Sequence, residues 1–163
     1  MSPKHLQTAL LGLGSNVGDR EANLRKACRA IRDLPGCSDL QQSPVYQTAP
    51  MGPQDQGDYL NMAASIRTSH TPRELLAQAQ RIEAELGRRP VERRRRWGPR
   101  VIDIDLLLYG DAIIDEPGLT VPHPGLAQRW FVLKPLADLA PQATHPLLGK
   151  TVAQLLDAVK AGV

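Results

Sequence analysis

Aromatic residues are scarce in this sequence: two Trp, three Tyr and one Phe, 4% of 163 residues. RNA-binding sheets read bases by stacking them on several aromatics, so this scarcity argues against a nucleic-acid partner. Cysteine is scarcer still, and Cys28 and Cys37 have no metal-site spacing. Cys28 falls on the apolar face of a predicted helix, which makes a buried thiol in a reducing cytoplasm the expectation and a Cys28–Cys37 disulfide the alternative. No apolar run approaches the length that crosses a bilayer, and Met1–Gln7 lacks the apolar core of a signal peptide, so no membrane association is expected. Repeats and low-complexity tracts are absent. The Gly12-x-Gly14-Ser-Asn stretch lacks the lysine and spacing of a phosphate-binding loop and the third glycine of a dinucleotide fold, and reads as a strand-end turn.

What is present is ordinary in amount and uneven in placement. Hydrophobic residues make up 42% and charged residues 23%, as in globular chains generally, and the length suits one domain spanning 1–163. Net charge is +3, yet residues 88–100 hold seven arginines and one glutamate, a local +6 that leaves the rest of the chain at −3. One cationic island in an acidic chain favours a local anion site over a broad polyanion surface.

The apolar run Thr8–Leu13 predicts a buried strand, and Asp19 predicts the cap of a helix reaching about Leu34. Ser38–Gln47 reads as a strand weakened by Pro44, and 48–58 as a long Pro/Gly loop. Tyr59–Thr68 alternates, with Leu60, Met62, Ala64 and Ile66 on a core face and Tyr59, Asn61, Ala63 and Ser65 on the opposite, polar one. Thr71-Pro-Arg-Glu74 is a capping box opening a helix to Leu86, on which Gln80 and Glu83 are surface neighbours. Val101–Tyr109 is a strand, Asp111–Asp115 leads into a short partner strand, and Pro122–Gly125 turns. Leu126–Leu139 is expected to be helical with a break near Pro135, and Thr151-Val-Ala-Gln154 opens a last helix. Strands and helices mix without a βαβ rhythm, which indicates an α+β sandwich of helices over an antiparallel sheet.

Asp103 and Asp105 carry the strongest chemical signal. On a strand, residues i and i+2 share a face about 6.5–7 Å apart, close enough for two carboxylates to share Mg²⁺ with phosphate oxygens. Aspartate is a poor strand former and two such charges repel unless a cation intervenes. Arg96 and Arg100, bracketing the Trp97-Gly-Pro turn, are the arginines nearest to them in sequence and suit bidentate phosphate contact. Tyr59 beside Asn61 offers a stacking ring and an amide to a flat heterocycle. His123 and Arg129 gather near the same anion site. An RNA-binding sheet module would account for the arginines but not for two aspartates that repel phosphate.

Taken together, Gly52-Pro-Gln-Asp-Gln56 with Tyr59-Leu-Asn61, Arg96-Trp-Gly-Pro-Arg-Val-Ile-Asp-Ile-Asp105 and Leu119-Thr-Val-Pro-His123 resemble the 6-hydroxymethyl-7,8-dihydropterin pyrophosphokinase family, from Leu11 to about Pro141. The resemblance implies a ferredoxin-like sandwich, usually monomeric, that transfers pyrophosphate from ATP to the pterin hydroxymethyl group. It implies two Mg²⁺ held by Asp103 and Asp105. It places the pterin on Thr48, Met51, Tyr59, Asn61, Trp97 and Phe131, with Tyr59 and Phe131 on either side of the ring. It places the nucleotide on Gln80, Glu83, Arg88, Arg96, Arg100, Ile104, Thr120, His123 and Arg129. Arg96 and Arg100 would stabilise charge on the transferring and leaving groups, no side chain stands out as a general base, and loops 48–58 and 88–98 would close over the site.

Overall fold

The first strand, β1 (Gln7–Ser15), runs on through the expected Gly14-Ser15 turn, so both glycines of Gly12-x-Gly14 lie in a sheet. The structure is a computed structural model that describes residues 5–49, 57–87 and 101–161. Of the loops expected to close, 88–98 lies outside the described residues, as does 50–56 of the other.

Helix α1 (Arg20–Arg32) follows, with Asp19 at its N-cap accepting from the Ala22 N–H at 3.0 Å. The expected strand over Ser38–Gln47 divides into β2 (Cys37–Gln42) and β3 (Tyr46–Thr48). The break falls at Ser43-Pro44, where proline has no N–H to give a ladder. The Ser43 hydroxyl instead accepts from the Ala63 N–H at 2.8 Å. Next come β4 (Tyr59–Thr68), with the expected bounds, and α2 (Pro72–Glu85), whose Thr71/Glu74 capping box is complete. Such a cap contributes about 1 kcal/mol. The fifth strand, β5, covers Asp103–Tyr109, so Asp103 opens the strand instead of lying inside it.

These strands form one antiparallel sheet in the order β2-β4-β1-β5, with β3 also on β4. One face carries Leu11, Leu13, Met62, Ala64, Ile66, Ile102, Ile104 and Leu106, packed against Leu24, Ala27, Cys28 and Ile31 of α1 and Leu75, Ala79 and Ile82 of α2. The alternation read along Tyr59–Thr68 is therefore right about the core face. The opposite face is not simply polar: Ala63, Leu10, Leu107 and Leu108 there form a second core with the C-terminal part of the chain. A register shift at Leu10/Leu11 lets the consecutive Leu107 and Leu108 both join it.

Two further sequence expectations need correction. Asp111–Asp115 does not lead to a partner of β5. Instead β6 (Ile114–Glu116) pairs with β7 (Leu119–Val121). Their turn holds Pro117-Gly118, with Gly118 at φ +78°, a conformation glycine takes without strain. Second, the break in the Leu126–Leu139 region falls at Arg129 and not at Pro135. A 3-10 turn, Leu126–Gln128, precedes an extended Arg129 and then α3 (Trp130–Leu139). Pro135 stays inside α3, where it lacks the N–H that would bond to the Phe131 carbonyl. Beyond these, a small hairpin, β8 (Thr144–His145) with β9 (Lys150–Thr151), leads into α4 (Val152–Ala161), which opens on the expected Thr151/Gln154 capping box. Leu133 and Leu136 of α3 and Val152, Leu155 and Leu156 of α4 complete the second core. Among the described residues the outcome is an antiparallel sheet with two helices on each face. Among the described residues no helix is long and apolar enough to cross a membrane.

Both cysteines are free thiols. Cys28 lies on the buried face of α1 and donates to the Met62 Sδ at 3.8 Å, and burial pushes its thiol up to about 11. Cys37 is half-buried on β2. Alkylation of the native protein at pH 8 is expected to label Cys37 alone, with Cys28 reacting only on unfolding; mass spectrometry showing two rapid labels on the folded chain would contradict this packing.

Candidate active site

Sheet register assembles the site. Gly14 on β1 lies directly between Asn61 on β4 and Asp103 on β5, and Gly12 lies between Ala63 and Asp105. Paired residues of neighbouring strands share a face. The two glycines therefore leave a bare trough one strand wide, with carboxylates on one bank and an amide on the other. Two strand spacings put those banks roughly 9.5 Å apart. A Cβ on Gly14 would come within 3.1 Å of the Asn61 Oδ1 and 3.4 Å of the Tyr59 ring, and one on Gly12 within 3.3 Å of Leu107. The cleft is open to solvent and is lined among others by Thr48, Tyr59, Asn61, Asp103, Asp105, Arg129 and Phe131.

The amide bank is built on β3 and β4. Tyr46, Asn61, Gly14 and Asp103 form one row across four strands. Asn61 is only 8% exposed and donates through Nδ2 to the Thr48 Oγ1 at 2.6 Å, which fixes its carboxamide orientation. Thr48 and Tyr59 are themselves paired across the two strands. Helix α3 closes the cleft with Phe131 and is tied to β3 from outside. The Tyr46 hydroxyl donates to Asp138, Lys134 Nζ lies 3.2 Å from Asp138 and 5.7 Å from the Tyr46 ring centroid, and Tyr46 meets Trp130 edge-on at 6.2 Å. This cluster is partly exposed, so its ion pair adds little energy, but it sets the spacing of α3 from β3.

The acid bank is an edge strand, whose outward backbone groups need other partners. Glu83 of α2, 5% exposed, accepts from the Ile104 N–H at 2.9 Å. The His123 N–H donates to the Leu107 carbonyl at 2.9 Å. Together they pin β5 on either side of Asp105. The His123 Nδ1 accepts from the Gly125 N–H at 3.0 Å, which leaves the ring proton on Nε2. Burial holds this imidazole below its ordinary pKa, with the Asp105 charge opposing and Arg129 reinforcing the shift.

Thus one cleft unites seven residues singled out in the sequence: Thr48, Tyr59, Asn61, Asp103, Asp105, Arg129 and Phe131. His123 is within electrostatic reach of two of them. Gln80, Glu83, Ile104 and Thr120 do not line it. Gln80 and Thr120 are exposed, Glu83 accepts from the β5 backbone, and the Ile104 side chain belongs to the first core. Met51, Arg88, Arg96, Trp97 and Arg100 lie outside the described residues. Sequence reading missed Gly12 and Gly14 as the floor of the cleft. Their i, i+2 spacing, matching that of Asp103 and Asp105, was the available signal.

Among the described residues no group of three or more His, Cys, Asp or Glu could hold a metal. The chain's own donors are the two carboxylates, with phosphate and water oxygens left to complete a shell. Such a donor set fits Mg²⁺, which keeps waters and binds through one or two carboxylates plus substrate phosphates, and does not fit a transition metal.

An acid pair, facing cationic and neutral donors and opening onto an aromatic cleft with an oriented amide, is the layout of a small-molecule phosphotransferase. Residues 10–141 match the family model of 7,8-dihydro-6-hydroxymethylpterin-pyrophosphokinase (HPPK). The chain belongs to this family. It is 46% identical over 134 residues to the 2-amino-4-hydroxy-6-hydroxymethyldihydropteridine pyrophosphokinase of Bacillus subtilis, covering 82% of this chain and 78% of that one. It is 45% identical over 148 residues to the protein of that name from Methylorubrum extorquens, covering 91% and 90%. The fold is similar to that in crystal structures of Plasmodium falciparum HPPK-DHPS, with a TM-score of 0.72 at 14% identity for the wild type. That match covers 97% of this chain but 45% of the Plasmodium chain, so this chain spans less than half of that longer protein.

Gly14→Ala is expected to weaken pterin binding about tenfold by displacing Asn61 from Thr48, a loss on the scale of one or two hydrogen bonds. Its melting temperature should stay near wild type, and fluorescence titration checks the affinity. Glu83→Leu is expected to cost about 1–3 kcal/mol in chemical denaturation, because it strands the Ile104 N–H.

Proposed function

We propose that this chain transfers pyrophosphate from ATP to 6-hydroxymethyl-7,8-dihydropterin, giving AMP and the dihydropterin diphosphate, a step of folate biosynthesis. Family membership and the names of the relatives support the reaction. The observation that carries it at the level of the site is the row Asn61–Gly14–Asp103, which sets a heterocycle-reading amide one bare strand away from the acids.

In this reading the pterin lies in the cleft between Tyr59 and Phe131, its amide-like edge against Asn61 and Thr48. Met51 and Trp97 are assigned to the same ligand by the family resemblance. The acids face the phosphates, and Asp103 and Asp105 would hold two Mg²⁺. Bound there, the metal would supply charge neutralisation of the triphosphate. Arg129 and the Nε2–H of neutral His123 donate to phosphate oxygens. Arg96 and Arg100 stabilise charge on the transferring and leaving groups, and Arg88 adds a further cation. Gln80, Glu83, Ile104 and Thr120 lie along the α2/β5/β7 flank, where the nucleotide's other end would rest. The pterin hydroxyl oxygen forms a bond to the β-phosphorus as the bond from that phosphorus to the α,β-bridging oxygen breaks, leaving AMP. The hydroxyl proton passes to solvent or a phosphate oxygen, since no side chain is assigned as base. Positioning and electrostatics supply the rate, as is usual for this chemistry.

The sandwich is of the ferredoxin-like kind. The protein works as one domain over 1–163, as a cytoplasmic monomer without a nucleic-acid partner. The test is AMP release with ATP, Mg²⁺ and the dihydropterin, omitting each in turn. All three should be required. Asp103→Asn and Asp105→Asn should each melt near wild type yet form AMP at least about 100-fold more slowly. Near-normal turnover by either would remove the carboxylates from the reaction.

A further inference from the structure

We propose that Gly125 is a positioning residue of this site, its missing side chain being the seat of the Arg129 guanidinium. A Cβ built on Gly125 would lie 2.5 Å from the Arg129 Cζ, 2.7 Å from Nε and 2.9 Å from Nη1, closer than any real Cβ contact. The guanidinium therefore occupies the volume that any other residue's Cβ would fill. Backbone conformation gives no competing reason for glycine. Gly125 has φ −90° and ψ −2°, a right-handed conformation open to every residue. Nor does capping: Gly125 precedes the 3-10 turn Leu126–Gln128, and glycine is a weaker N-cap than Ser, Asn or Asp.

The same residue holds the other anion-facing group. Its N–H donates to the His123 Nδ1 at 3.0 Å. One residue thus orients His123 through a backbone donor and Arg129 through an absent side chain. Arg129 starts α3 from an extended conformation, and its side chain folds back over the turn to line the cleft. Because the conflicting atoms are the tip of a flexible side chain, an added methyl group can be relieved by moving the guanidinium alone. The fold stays intact and the anion site loses its geometry. The backbone N–H of an alanine still reaches His123, so the effect runs through Arg129.

This inference rests on the reading that Arg129 contacts ATP. Its test is a double-mutant cycle of Gly125→Ala and Arg129→Ala, read by binding of a non-hydrolysable ATP analogue with Mg²⁺, by pterin binding and by melting temperature. Gly125→Ala should melt at or slightly above wild type, since alanine restricts the unfolded chain. It should bind pterin normally and the ATP analogue about tenfold more weakly, the scale of one charge-assisted hydrogen bond. In the Arg129→Ala background it should have no further effect. Wild-type analogue affinity in Gly125→Ala, with Arg129→Ala impaired, overturns the positioning role and leaves the reading of Arg129 standing. An equal loss from Gly125→Ala in both backgrounds also overturns it. Normal analogue affinity in Arg129→Ala removes Arg129 from the nucleotide site and the role of Gly125 with it.

Discussion

The site depends on the antiparallel register of β1 against β5, which sets Gly14 opposite Asp103 and Gly12 opposite Asp105. A shift of one residue would turn both carboxylates into the first core, where Leu13 and Ile104 now meet, and bring two branched side chains into the cleft. Register here is strongly specified because both faces of the sheet are covered by helices. The glycines suit this one register: they pack poorly as strand residues, but between two functional banks they leave a bare strip of backbone on which a ligand could lie.

The edge position of β5 is the second constraint. An edge strand with two like charges is a weak place in a sheet, yet it is the place from which carboxylates can reach a solvated ligand. Here its outer backbone groups go to Glu83 and His123, groups from α2 and from the segment after β7. Glu83, buried and bonded to Ile104, shapes the strand that bears the acids. The opposite bank follows the same plan, with Thr48 orienting Asn61 and the Tyr46–Asp138–Lys134 cluster holding α3 and its Phe131 in place.

Much of this was legible from residues alone. Alternation along Tyr59–Thr68 and the Asp103/Asp105 spacing located two of the site's strands, because a period of two is a local property. The capping boxes at Thr71 and Thr151 located helix starts for the same reason: they satisfy neighbouring N–H groups within four residues. The errors fall where an outcome depends on distant packing. Pro135 was expected to break a helix, but burial against β4 and α4 outweighs one lost hydrogen bond. Ala63 was put on a polar face because its strand neighbours Asn61 and Ser65 are polar. Leu133 and Leu136, some seventy residues on, cover that face.

By itself, the sequence determined the element types, the acid pair, the single cationic island and the family, all properties carried by local patterns or linear motifs. Tertiary structure alone decided which strand lies between the acids and the amide, and that Gly12 and Gly14 form the floor of a cleft instead of a turn. It also decided that Glu83 serves β5 and that Arg129 folds over Gly125. The physical reason is that strand order and register are set by burying both faces of the sheet at once, a condition on the whole chain that no short stretch of it encodes.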